Sequence, residues 1–76
     1  MSLEEQIIEI IRTIIHHHGL PEVAVEVASP LYDEGIGLDS MCVAELSVTL
    51  EKKFGTDPYT KGDFPATVAD LISFYG

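Results

Sequence analysis

Six apolar residues near the start of the chain, Leu3, Ile7, Ile10, Ile11, Ile14 and Ile15, recur at the spacing of one helix face. Ser2, with Glu5 three positions on, forms a capping-box pattern ahead of them, and Gly19 and Pro21 stop the run. The pattern predicts an amphipathic helix from about residue 3 to residue 17. Only 76 residues are available to cover that face, which is one domain at most. A chain of this size buries about 60% of the surface that its unfolded form exposes, so little stability is in reserve. One cysteine allows no intrachain disulfide, and no Cys/His spacing suggests a structural zinc site. Apolar packing must therefore hold the fold, and an apolar content of 46% can supply it. Room for a catalytic cleft or a cofactor-binding sheet is lacking, and a self-sufficient enzyme is not expected.

His16, His17 and His18 fall in the last turn of that helix, where positive charge complements the dipole. Adjacent helical residues point in different directions, so the three read as a solvated helix end and not as metal ligands. In the stretch from 19 to 39, Val23, Val25 and Val27 alternate with smaller or polar residues, a strand pattern with no second strand to pair with. The expectation is a long ordered loop, pinned to the helices by Val27, Leu31 and Ile36. A second helix is predicted from about Ser40 to Phe54, with Val43, Leu46, Leu50 and Phe54 as its core stripe. Met41, Ala44 and Val48 form a second apolar line on a different face, which also carries Ser40 and Glu51, with Glu45 at its edge. One core stripe suffices for a helix in a small bundle, so the second is either extra core or a contact surface. Gly55 and Pro58 end this helix. One short helical turn follows at about 59–64, and Thr67 with Asp70 caps a last helix at about 67–75.

Thirteen acidic residues against four basic ones give a net charge of −9. Phosphate binding needs Lys and Arg to release counterions, so neither nucleic acid nor an anionic membrane is expected as a partner. Basic docking faces are the complementary choice, although acidity also serves plain solubility. No apolar run approaches a membrane span, and the N-terminus lacks the basic start and apolar core of a signal peptide. A cytoplasmic protein fits this and the lone thiol.

Several chemistries fail on their own requirements. A calcium loop starting at Asp33 would place Leu38 at the turn-glycine position and Ala44 at the closing carboxylate; a start at Asp57 fails because Tyr59 and Lys61 occupy ligand positions and Val68 sits at the end. Gly35-Ile36-Gly37 lacks the third glycine and the preceding strand of a dinucleotide fingerprint, and Gly37-Leu38-Asp39-Ser40 is no nucleophile elbow. Cys42 has no basic neighbour to make it a reactive thiolate. What remains is Ser40. A serine at a helix start ordinarily caps it, but the third residue after it is Val43, so no capping box is completed. Its hydroxyl follows an acid, is delivered by a glycine-containing loop and borders the spare apolar stripe. That suits a serine that another protein must reach and modify, because a phosphate ester there would lie over a helix N-terminus.

The stretch Asp39-Ser40-Met41, followed by Ala44-Glu45-Leu46, Leu50-Glu51 and Phe54, resembles the acyl carrier protein family, including the carrier domains of polyketide and nonribosomal peptide synthesis. The resemblance extends back to Pro30-Leu31 and forward to Thr67-Val68-Ala69-Asp70-Leu71, covering nearly the whole chain. It implies an all-α, acyl-carrier-like four-helix bundle: three main helices, a short third helix and a long loop after the first helix. It also implies that Ser40 carries a 4'-phosphopantetheine arm derived from coenzyme A. A separate phosphopantetheinyl transferase would add the arm, with magnesium needed for that transferase alone. An acyl- or aminoacyl-loading ligase would charge the arm as a thioester, and downstream synthase or transferase enzymes would draw on it. Asp39 would help the transferase recognise Ser40, and Met41, Ala44, Glu45, Val48 and Glu51 match positions that contact partners. The implied protein is a non-catalytic monomer that supplies attachment, presentation and docking.

Departures from the family pattern narrow the role. Fatty-acid carriers usually have a densely acidic second helix, whereas Cys42, Ser47 and Thr49 are uncharged here and Lys52 and Lys53 stand where acids are common. The expectation is a carrier for a specialised pathway and not for housekeeping fatty-acid synthesis, free-standing or excised from a larger synthase. Two other classes are weighed beside it: an unmodified helical adaptor docking through the Met41, Ala44 and Val48 face, and a small enzyme using Ser40 or Cys42.

Overall fold

The computed structural model describes residues 2–32 and 35–76. Asp33 and Glu34, which open the rejected calcium-loop frame, lie outside the described residues, as does Met1. The described chain forms three α-helices in the order α1 (Leu3–His17), α2 (Ser40–Phe54) and α3 (Val68–Tyr75), and contains no strand.

Helix α1 starts where the capping box predicts. The Ser2 hydroxyl accepts from the Glu5 N–H at 3.2 Å while the Glu5 carboxylate takes the Ser2 N–H at 3.2 Å. Its isoleucine stripe is the spine of the molecule, and α1 packs against both α2 and α3. Ile7, Ile11 and Ile14 are fully buried among Leu31, Leu46, Leu50, Val68 and Leu71. Each such side chain contributes about 1.5–3 kcal/mol over the exposed state, so α1 owes its helical state to packing and not to isoleucine propensity. At the far end of the bundle the Phe54 and Tyr75 rings meet at 4.6 Å, and the Tyr75 hydroxyl donates to the Thr56 carbonyl at 2.8 Å.

The core stripe of α2 differs from the expected one. Cys42, Leu46 and Leu50 are buried at four-residue spacing, whereas Val43 and Phe54 are half-buried and pack on the margin. Helices meet along such four-residue ridges, and Cys42 fills its place as a small hydrophobe.

The described residues between α1 and α2 form a loop, as the isolated valine alternation implied, but its anchors among them are Val25, Leu31, Ile36 and Leu38. Val27 is not one of them. The chain turns at 27–28, with the Ser29 N–H bonded to the Glu26 carbonyl, and this swings the Val27 side chain off the face that buries Val25. The Val27 backbone is used instead. The carbonyls of Val27 and Ser29 accept from the first-turn N–H groups of Ala69 and Val68, so the loop completes the start of α3.

A tight turn over 58–62 stands where a short helix was expected at 59–64. The Lys61 N–H reaches the Pro58 carbonyl and the Gly62 N–H reaches that of Tyr59, both over three residues. Gly62, at φ +85°, then ends the turn before a helix can propagate. The turn is held from below by Asp57, a buried carboxylate that accepts from the Ser47 hydroxyl at 2.6 Å, the Thr60 hydroxyl at 2.7 Å and the Thr60 N–H at 3.1 Å. Its burial pushes the pKa up, but those donors outweigh it and the net shift is downward.

Candidate functional site

The approach to Ser40 is fixed by two buried side chains on either side of a glycine. Ile36 and Leu38 both enter the core, and their N–H groups bond the carbonyls of Pro30 and Leu31 at 2.9 and 3.0 Å. Between them Gly37 takes φ +81°, a left-handed conformation that a side chain would strain. Gly35 is needed for a different reason: a Cβ there would lie 2.0 Å from the Pro30 carbonyl oxygen. The glycine pattern is therefore a device for delivering the start of α2 to a set place.

Asp39 and not Ser40 caps that helix. The Asp39 Oδ1 accepts from the Cys42 N–H at 2.9 Å, and its carbonyl accepts from the Val43 N–H. The Cys42 N–H is also the main reason the Asp39 carboxyl is held below its usual range. Ser40 is the first helical residue, it is exposed, and its hydroxyl makes no hydrogen bond to another described residue. Because the neighbouring acid takes over the capping, the hydroxyl is left exposed.

The spare apolar line of α2 is surface. Met41 is 69% exposed, Val48 is 55% exposed, and Ala44 and Glu51 are exposed with them. The line begins one residue after Ser40 and runs along the helix, so an enzyme reaching that hydroxyl meets it. Cys42, by contrast, is fully buried, and burial pushes its thiol pKa up, which removes it as a nucleophile.

Glu45 is half-buried at the edge of this face and is engaged within the molecule. His17 Nδ1 lies 3.0 and 3.1 Å from its two oxygens, and His18 Nε2 lies 2.8 Å from Oε1. Hydrogen bonds from His17 first, then His18, hold the Glu45 carboxyl below its ordinary value. His16 and His17 are exposed, as expected of a solvated helix end, but the expectation that the adjacent rings diverge is corrected for His17 and His18. His18 is the C-cap of α1, at φ −94° and ψ 3°, so the helical angle between neighbours no longer applies and two of the three rings converge. A separation of 27 and 28 residues to Glu45 left no signal of this in the sequence.

A groove of about 250 Å³ runs between α1 and α2, lined by Ile10, Thr13, Ile14, Glu45, Thr49 and Lys53 among others. Asp39, Ser40 and Met41 are not on its walls.

A family model described as "Phosphopantetheine attachment site" matches residues 5–60. In solution structure, MacpD, an acyl carrier protein from Pseudomonas fluorescens involved in mupirocin biosynthesis, is similar to this chain, with a TM-score of 0.73 and 35% identity. The similarity covers 95% of this chain and 66% of that one, so the chain spans somewhat less than two thirds of that protein's length. No curated protein matches it. The all-helical bundle with a long first loop is the acyl carrier fold, and the matched domain is the kind to which 4'-phosphopantetheine is covalently attached. This chain belongs to the acyl carrier protein family.

Proposed function

We propose that the protein is a non-catalytic carrier whose 4'-phosphopantetheine arm is attached to the Ser40 hydroxyl. The single observation that carries this is the division of labour at the start of α2: Asp39 caps the helix and leaves the adjacent hydroxyl exposed and without a hydrogen-bond partner among the described residues. No acidic side chain occupies the first turn of α2, so a phosphodiester on Ser40 meets the positive end of the helix dipole beside the Asp39 cap. Once bound, the arm supplies a terminal thiol that holds an acyl or aminoacyl group as a thioester. The chain's own part is to attach, orient and dock. Tethering raises the concentration of the cargo at whichever enzyme is engaged.

Asp39 uses one carboxylate oxygen for the cap and has the other for the transferase and its magnesium. Met41, Ala44 and Val48, with Glu51 beside them, form the docking strip for the transferase, the loading ligase and the downstream synthase enzymes. Glu45 contributes at its edge, through a carboxylate shared with α1. The reading of a specialised pathway is supported by the sparsely acidic α2 and by the likeness to MacpD, described as acting in mupirocin biosynthesis. A monomer working in the cytoplasm, where coenzyme A and the transferase meet it, completes the reading; no described helix is long and apolar enough to cross a membrane.

The test is intact-protein mass spectrometry after incubation with coenzyme A, magnesium and a broad-specificity phosphopantetheinyl transferase. Wild type gains one phosphopantetheine and Ser40→Ala gains none. No gain on folded wild type across several transferases would favour the unmodified adaptor docking through the Met41 strip.

A further inference from the structure

The geometry points to a divalent transition-metal site, of the kind that takes Zn²⁺, formed by His17, His18 and Glu45 where the end of α1 meets α2. The three donor atoms lie within 4.8 Å of one another. Both imidazole nitrogens are directed at one carboxylate oxygen, at 3.0 and 2.8 Å. Donors around a tetrahedral zinc sit about 2.0–2.1 Å from the metal, and hence roughly 3.3 Å apart. The two contacts to the carboxylate oxygen therefore need to open by a few tenths of an ångström, and the two ring nitrogens, within 4.8 Å of each other, need to settle to that spacing. A simple ion pair would need one histidine; here two bring their ring nitrogens to one carboxylate oxygen, which gathers three donor atoms of metal-binding type at one place.

The supports of the three ligands are rigid. His17 and His18 follow Ile14 and Ile15, each buried to 2% exposure, and Glu45 precedes Leu46, which is fully buried. The core thus fixes both backbones before any metal arrives, which lowers the ordering cost of binding. The site is also open on one side: His17 is 70% exposed, whereas His18 and Glu45 are 22% and 31% exposed. That leaves access for the ion and for a water as fourth ligand. Two neutral imidazoles and a carboxylate are a borderline-soft N₂O set, which suits Zn²⁺ over Mg²⁺ or Ca²⁺. On binding, the ring proton that faced Glu45 moves by solvent exchange to the other nitrogen of each neutral imidazole; an imidazolium instead releases one proton to solvent. No oxidation state changes. A bound ion would clamp α1 to α2 and take Glu45 out of the docking edge, about 7.5 Å along the helix axis from Ser40.

Isothermal titration calorimetry of the apo protein with Zn²⁺, in a non-chelating buffer, tests this. The expected result is one site per chain with a micromolar dissociation constant. Binding should weaken at least tenfold in His18→Gln and in Glu45→Gln, and stay unchanged in His16→Gln. Long-range ¹H–¹⁵N spectra of the wild-type imidazoles give a check that needs no substitution: Zn²⁺ should shift His17 Nδ1 and His18 Nε2 and leave His16 in place. Binding insensitive to His18→Gln and Glu45→Gln, shifts at all three rings alike, or no one-to-one binding would each overturn the proposal. None of these readouts depends on Ser40, so the site stands or falls apart from the carrier function.

Discussion

Asp57 is the residue whose loss should cost the fold most for one polar side chain. It is 1% exposed and accepts three hydrogen bonds that join α2, through Ser47, to the turn over 58–62. Replacing it with alanine strands the half-buried Ser47 hydroxyl, while the exposed Thr60 can turn its hydroxyl to water. A hydrogen bond to a charged group is worth about 1.5–3 kcal/mol, and the Thr60 pair adds a fraction of that, so Asp57→Ala should destabilise by about 2–4 kcal/mol. The total stability of a domain this size is only about 4–11 kcal/mol. The midpoint of thermal unfolding should fall by about 10–25 °C. Asp57→Asn keeps the shape and one acceptor oxygen and should lose about half as much. Urea unfolding followed by far-UV circular dichroism measures both. The acid side gives an independent check. With its native pKa depressed below the ordinary 3.8, the Asp57 carboxylate stabilises fully above that value. Its contribution fades as the pH falls through the native pKa, because the unfolded state takes up the proton first. The gap between wild type and Asp57→Asn should therefore close as the solution is acidified below that ordinary value. An Asp57→Ala protein within about 1 kcal/mol of wild type, or a gap that persists in strong acid, would refute the clamp.

At Asp39, cap and charge separate: Asp39→Ser keeps a side-chain acceptor for the Cys42 N–H, and Asp39→Ala removes it. Both variants should load phosphopantetheine slowly, but only the alanine variant should lose hydrogen-exchange protection at the Cys42 amide. Met41→Glu and Val48→Glu lie on exposed positions and should leave urea stability within about 0.5 kcal/mol of wild type. Each should nevertheless raise the KM of the transferase several-fold; a large stability loss would put those residues in the core. On the alkaline side, burial first, and then the charge of Asp57, pushes the Tyr75 hydroxyl up from 10.0 to about 12. The unfolded state loses that proton first, so stability should decline from about pH 10 upward, and Tyr75→Phe should flatten the decline.

The bounds of α1 were legible because a capping box precedes it and glycine with proline follows it, and the end of α2 because Gly55 and Pro58 stop it; its start was marked by the apolar periodicity. The Met41, Ala44 and Val48 line was legible as a second apolar face, but that it is surface and not extra core needed the fold. What failed to show were features decided by distant parts of the chain. Alternation could not tell Val25 from Val27, because the turn at 27–28 breaks the register that alternation assumes. Cys42 stands at four-residue spacing from Leu46 and Leu50, but periodicity alone did not choose between that ridge and the one through Val43, and it is Cys42 that faces the core. Asp57 gave no hint of burial, because its donors come from a helix ten residues earlier as well as from the turn that it holds. The same carboxylate, with Gly62, explains why a turn stands where a helical pattern was read. At the site, Ser40 was marked by its neighbours, but the assignment of the cap to Asp39 and the pairing of Glu45 with His17 and His18 needed the fold.

The central claim is that the Ser40 hydroxyl is the attachment point because Asp39 has taken over the cap. Fragment-ion mapping of the wild-type protein after treatment with transferase tests it most directly. All phosphopantetheine should be found on Ser40. Modification at Ser2, Ser47, Ser73 or Cys42 with Ser40 left unmodified would contradict it.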